Sequence, residues 1–123
     1  MKSKINARNK GCAFERQIAK ELRELGWKDC VTSRYASKET DDMMVDFVNT
    51  PNFQIQAKAV ERFHAYHDIL SKMPQNENIN IIIHKRNRKG EVVVMSKDNF
   101  YRIIKLLGLP QLQPPKPPVA KRI

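Results

Sequence analysis

Asp46, Gln56 and Lys58 are the residues of this chain whose types and spacing most readily do chemistry together. They lie in the stretch Val45-Asp-Phe-Val-Asn-Thr-Pro-Asn-Phe-Gln-Ile-Gln-Ala-Lys-Ala-Val60. A carboxylate, an amide oxygen and an ammonium brought side by side suit a hard cation and a phosphodiester. The stretch reads as a β-hairpin: Val45 to Val48 as one strand, Asn49 to Asn52 as a Pro-containing turn, Phe53 to Ala59 as the second strand. Side chains alternate across a strand. Phe53, Ile55, Ala57 and Ala59 then share an apolar face, and Gln54, Gln56 and Lys58 share the other, with Asp46 on the neighbouring strand. The same positions also suit an ordinary solvated sheet face.

Composition narrows the partners. The 123 residues fit one domain, and 41% hydrophobic content is that of a globular chain. A net charge of +10 favours a polyanion, nucleic acid ahead of an anionic membrane. No apolar run reaches the roughly 18 residues of a membrane span, and the basic start Met-Lys-Ser-Lys-Ile-Asn-Ala-Arg has no apolar stretch behind it, so no signal peptide is expected. Cys12 and Cys30 lack a CxxC spacing and read as free thiols in a reducing, cytoplasmic compartment.

Helices must position the hairpin. Asn9 to Gly26 reads as the first, with Phe14, Ile18, Leu22 and Leu25 on an arc of about 80° at ~100° per residue. Glu15 falls about 20° beyond Leu22 on the same count, at the rim, from which it can reach a sheet. Position alone better suits a surface glutamate in an i,i+4 pair. Lys28 to Ala36 alternates as a strand, and the polar Ser37 to Asp42 reads as a loop. Asp41 and Asp42 could touch a metal there, although like charges this close more often sit in solvent. Val60 to Met73 reads as a second helix, with Phe63, Tyr66, Leu70 and Met73 on its apolar face and Pro74 ending it. His64 and His67 lie one turn apart on it near Asp68, with no third strong ligand evident.

Ile79 to His84 is a β-branched run typical of a buried central strand. Lys85-Arg-Asn-Arg-Lys-Gly90 is a basic turn, and Glu91 to Met95 is the returning strand. Ser96 caps a third helix, with Asp98 in its first turn and Phe100, Ile103, Ile104 and Leu107 on its apolar face; Gly108 and Pro110 close it. Residues 1–109 are thus expected to form the domain. Residues 110–123 hold five of the seven prolines and read as a flexible, Pro-rich basic tail.

The resulting order is αβββαββα, an α/β (α+β) fold with a central mixed sheet flanked by helices. With Gly11-Cys-Ala-Phe-Glu-Arg16 on the first helix, Arg34 to Ser37 after it, Val45-Asp-Phe47, and Gln56-Ala-Lys58, the chain resembles the PD-(D/E)xK nuclease superfamily, restriction-endonuclease-like in fold. Within it, the Holliday-junction resolvases of archaea and phages are nearest in appearance. The resemblance spans roughly Lys10 to Met95.

It implies a metal-dependent, structure-selective endonuclease making paired nicks in four-way DNA junctions, and a homodimer to make them. Glu15, Asp46, Gln56 and the Ala57 backbone carbonyl would hold Mg²⁺ or Mn²⁺, and Lys58 would orient water or stabilise charge on the phosphate. Lys4, Arg8, Lys10, Arg34, Ser37, Lys38, Lys85, Arg86, Arg88 and Lys89 would contact DNA. Gln56 stands where the family more often has Glu, and Val45 replaces its usual proline. The site therefore carries one negative charge fewer, which implies weaker metal binding. Another nuclease of this fold, acting on flaps, nicks or duplex, and a non-catalytic DNA-binding module are the alternatives. The roles of Asp41, Asp42, His64 and His84 stay open.

Overall fold

The computed structural model describes residues 2–62 and 65–108, with side chains from Arg8 onward. Lys4 therefore enters only through its backbone, and Phe63, His64 and the proline-rich tail lie outside the described residues. The elements run α1 (Lys2–Leu25), β1 (Val31–Thr32), α2 (Ser33–Ala36), α3 (Lys38–Asp42), β2 (Phe47–Val48), β3 (Phe53–Lys58), α4 (Tyr66–Lys72), β4 (Ile79–Arg86), β5 (Gly90–Val94) and α5 (Lys97–Leu107). This is a mixed α+β fold. Its three-stranded sheet has the order β3-β4-β5, with β3 parallel and β5 antiparallel to the central β4. The two short strands β1 and β2 form a separate antiparallel pair.

The core lies between α1 and one face of that sheet. Phe14, Ile18 and Ala19 of α1 meet Ile55, Ala57, Ile79 and Ile81, and Cys30 and Phe47 close the end. Burying a side chain of this size contributes roughly 1.5–3 kcal/mol, so this cluster fixes how α1 lies on β3. Ile82 and Met73 are buried outside that cluster. Burial also pushes the Cys30 thiol up, against the opposing charge of Arg23. At the end of the chain, Ser96 Oγ accepts the Asn99 N–H and caps α5, and Gly108 ends it at φ 76°.

Several local expectations are corrected. The hairpin is not a ladder: β2 pairs with β1, and a single backbone bond, Asp46 N–H to Ile55 O at 2.8 Å, ties it to β3. The pairing edge of β2 is taken by β1, and the turn bends through Asn49 and Asn52, both left-handed at φ 64° and 75°. The strand expected over Lys28 to Ala36 is cut to two residues, because Ser33 turns the chain into α2. The expected loop from Ser37 is the helix α3, begun by Ser37 Oγ accepting the Thr40 N–H. The second helix starts at Tyr66, so Val60 to Arg62 are not part of it. Leu25 is exposed, because the buried arc of α1 is displaced toward Glu15 and Ala19.

Candidate active site

The polar cluster forms on the outer edge of β3. Met44, left-handed at φ 66°, reverses the chain after α3 and delivers Val45 and Asp46 to that edge. Such a conformation is costly for a residue other than glycine. Asp46 Oδ2 then accepts the Ala57 N–H at 2.7 Å, a donor that a ladder partner would otherwise take, and the Gln56 Nε2–H at 3.2 Å. Burial pushes the Asp46 carboxyl up to about 7. The Ala57 N–H opposes the rise, Glu15 and Asp41 add to it, and Lys58 opposes it. Asp46 is 5% exposed and Gln56 8%. Gln56 Oε1 is buried without a hydrogen-bond partner among the described residues.

Glu15 approaches from α1. It is no surface glutamate: it is buried, and its partner is Arg34, nineteen residues on. Arg34 Nε donates to Oε1 at 3.1 Å and Nη2 to Oε2 at 3.0 Å, a two-pronged pair. This hydrogen bonding holds the Arg34 guanidinium above its ordinary pKa. A cation already sits on both Glu15 oxygens, and it is a side chain.

Ser33 and Asp41 also belong to the cluster. Ser33 is wholly buried. Its hydroxyl donates to Val45 O at 2.6 Å, with Asp41 Oδ1 a longer 3.3 Å contact, and its N–H donates to Asp46 O at 2.8 Å. It pins α2, and with it Arg34, to the strand that carries Asp46. Asp41 bears electrostatically on both Asp46 and Arg34. Asp42 instead pairs with Lys38 at the surface, 3.3 Å apart. No local pattern marks Ser33 in advance; its burial is decided by the turn into α2.

The expected DNA contacts divide into groups. Lys85 lies over the Phe14 ring at 5.7 Å, and Glu61 links Lys10 (3.9 Å) to the Asn87 N–H (2.6 Å). The expected basic turn is cut to residues 87–89, because Lys85 and Arg86 extend β4 and pair with Glu91 and Gly90. This end of β4 and the turn with Arg88 and Lys89 therefore lie beside the half of α1 that carries Glu15. Arg8 is exposed on the same helix. Lys38 is committed to Asp42, and Ser37 Oγ to Thr40. His67 is exposed on α4. His84 is buried on β4, between Tyr66 and Val60 O.

Two carboxylates, an amide, backbone carbonyls and an ammonium are an oxygen-rich set suited to a hard divalent ion. Among the described residues no three His, Cys, Asp or Glu side chains stand close enough to hold a metal by themselves. Any ion here would lean on Gln56 and backbone oxygen. No helix among the described residues is long and apolar enough to cross a membrane. No protein-family model, curated protein or solved structure matches this chain.

Proposed function

We propose that this protein is a divalent-metal-dependent endodeoxyribonuclease that resolves four-way DNA junctions. The observation that carries the reading is the buried edge of β3. There Asp46 is held by the Ala57 N–H beside a Gln56 oxygen that no described protein group satisfies, with Glu15 and Lys58 close enough to shift the Asp46 carboxyl. An unsatisfied buried acceptor costs about 1–3 kcal/mol, and a cation would supply what Gln56 Oε1 lacks. The residues thus fit Mg²⁺ or Mn²⁺. Glu15, Asp46, Gln56 Oε1 and the Ala57 carbonyl would hold it.

When bound, such an ion lowers the pKa of water and polarises the phosphoryl oxygen. The chain supplies the rest. Lys58, at the end of β3, places an ammonium against the charge that builds on the phosphate. Arg34, on a four-residue helix and 43% exposed, can leave Glu15 for a phosphate, whose oxygens match its fork. The basic stretch from Lys85 at the end of β4 to Lys89 in the turn contacts the backbone without reading sequence. The working unit is a homodimer, since resolution needs paired nicks on opposing strands.

The test is cleavage of a labelled immobile four-way junction beside a matched duplex, with Mg²⁺, Mn²⁺ or EDTA. Paired symmetric nicks in the junction alone, lost in EDTA, are expected. Lys58→Ala should lower the rate by ~10²–10³ while junction binding survives; undiminished cutting by that variant would overturn the assignment. Cutting of both substrates would mean a more general nuclease of this kind.

A second reading, a DNA-binding module without catalysis, is favoured by Arg34 standing on Glu15 where a metal would bind. It predicts a salt-sensitive shift of the junction and no cut with either metal. Cutting by the unaltered chain separates the two; if it cuts nothing, Gln56→Glu tells a site silenced by Gln56, which should regain cutting, from a binding module, which should not.

A further inference from the structure

His84 is buried on the central strand, 3% exposed, and the proposed nuclease chemistry gives it no role. Its position is specific. In the parallel ladder Lys58 of β3 is paired with His84 of β4. Paired residues of adjacent strands point to the same face, so the two side chains stand side by side. The His84 ring is also tied at both nitrogens. Nε2 lies 2.7 Å from Val60 O, and Nδ1 lies 2.7 Å from the Tyr66 hydroxyl.

A carbonyl only accepts, so Nε2 carries the hydrogen. In the neutral ring Nδ1 then accepts from Tyr66. The Tyr66 ring meets the imidazole edge-on, with centroids 5.8 Å apart. Tyr66 is the first residue of α4, and Val60 is the second residue beyond Lys58. One imidazole therefore ties three elements: the chain leaving β3 just after Lys58, the central strand, and the start of α4.

We propose that His84 is a positioning residue for Lys58. By clamping the Val60 carbonyl, with Tyr66 fixing its ring, it holds the end of β3 in place and so aims the Lys58 ammonium at the phosphate. The inference rests on the nuclease reading, since Lys58 matters only if a phosphate is cut. A buried histidine in a purely structural role would affect stability and nothing else. A positioning role affects kcat and leaves DNA affinity alone, because misplacing a catalytic group by about 1 Å can cost up to 10² in rate.

The experiment compares His84→Leu, His84→Gln and Tyr66→Phe with the unaltered chain. Cleavage of a saturating junction, junction affinity, and hydrogen exchange of the peptide covering residues 57–62 are measured well below each Tm. His84→Leu should lose about tenfold or more in kcat, with affinity unchanged and exchange at 57–62 faster. Gln can donate to Val60 O and accept from Tyr66, so His84→Gln should restore most of both. Tyr66→Phe should fall between them.

Full cutting by His84→Leu, or no recovery with His84→Gln, overturns the proposal. If His84→Leu does not fold, Tyr66→Phe and His84→Gln decide it: wild-type kcat in Tyr66→Phe overturns it. If the unaltered chain cuts nothing, the nuclease reading has failed. Exchange at 57–62 then still decides whether His84 holds this strand, and unchanged exchange in every variant overturns the clamp itself.

Discussion

The two edges of the three-stranded sheet are built on opposite rules. At the β3 edge, polar groups are inside: Asp46 and Gln56 are buried, and one Gln56 oxygen has no hydrogen-bond partner among the described residues. At the β5 edge, apolar groups are outside: Val92 and Val93 are 51% and 57% exposed. A sequence selected only for stability would reverse both. Exposed valines cost little, because most protein surface is apolar in any case. Buried carboxylates and amides cost several kcal/mol unless each is satisfied. The expense is concentrated at β3, where the proposed chemistry lies.

The largest effect that could break this contrast comes from Asp46→Asn. It should abolish cleavage and also stabilise the protein at neutral pH. The amide introduced there can still accept the Ala57 and Gln56 N–H groups through its oxygen, and it carries no charge to bury. The sign of the pH dependence follows from burial. The folded carboxyl is raised from 3.8 to about 7, so the folded state holds the proton more tightly than the unfolded chain. That stabilisation is fully present below the unfolded value and is lost as pH rises from about 4 through 7. At ~1.4 kcal/mol per unit, the ceiling is on the order of 4 kcal/mol.

Urea unfolding in EDTA should show the two proteins converging near pH 4 and Asp46→Asn ahead at pH 8. A gap that does not change with pH would remove the claim that the β3 edge is costly because it is charged.

The next effect sharpens the contrast by isolating Glu15. Arg34→Ala leaves a buried carboxylate without its fork. The loss should be about 1–3 kcal/mol, toward the low end because Arg34 is 43% exposed and the pair is partly screened. Arg34→Lys keeps the charge and loses the two-pronged geometry, so it should fall between. Added Mn²⁺ should raise the Tm of Arg34→Ala more than that of the unaltered chain, since Glu15 no longer has to exchange one cation for another. Equal shifts would mean that metal does not reach Glu15.

How much of this was legible in the sequence depended on whether a signal was local. The Ile79 to His84 run and the Ser96 and Gly108 caps read correctly, because β-branched clustering and capping act within a few residues, whereas the basic turn is shorter than expected, since Lys85, Arg86 and Gly90 belong to the β4–β5 ladder. The small helices α2 and α3 did not. Four and five residues are too few for periodicity, and α2 is pinned by the Ser33 hydroxyl reaching Val45 twelve positions away. Asp46, Gln56 and Lys58 were singled out by type and spacing. That Asp46 takes the Ala57 N–H in place of a strand was not, since it depends on how Met44 turns the chain. Arg34 stood out as a cation, but its attachment to Glu15 is a long-range contact that no window contains.

The smallest effect belongs to the opposite edge. Val93→Thr keeps the β-branched shape that suits a strand and adds a hydroxyl where water already reaches. Val93 is paired with Ile83 of β4, yet more than half its surface is open. Stability should change by less than about 0.5 kcal/mol, and cleavage not at all. A Tm measurement beside Asp46→Asn makes the comparison direct. A large loss from Val93→Thr would mean that this face is covered in solution, and the β5 edge would then have to be counted as interior. If the loss is small, the sheet tolerates change freely on the side that only completes the fold, and its sensitivity lies at β3, where Asp46 and Gln56 are held.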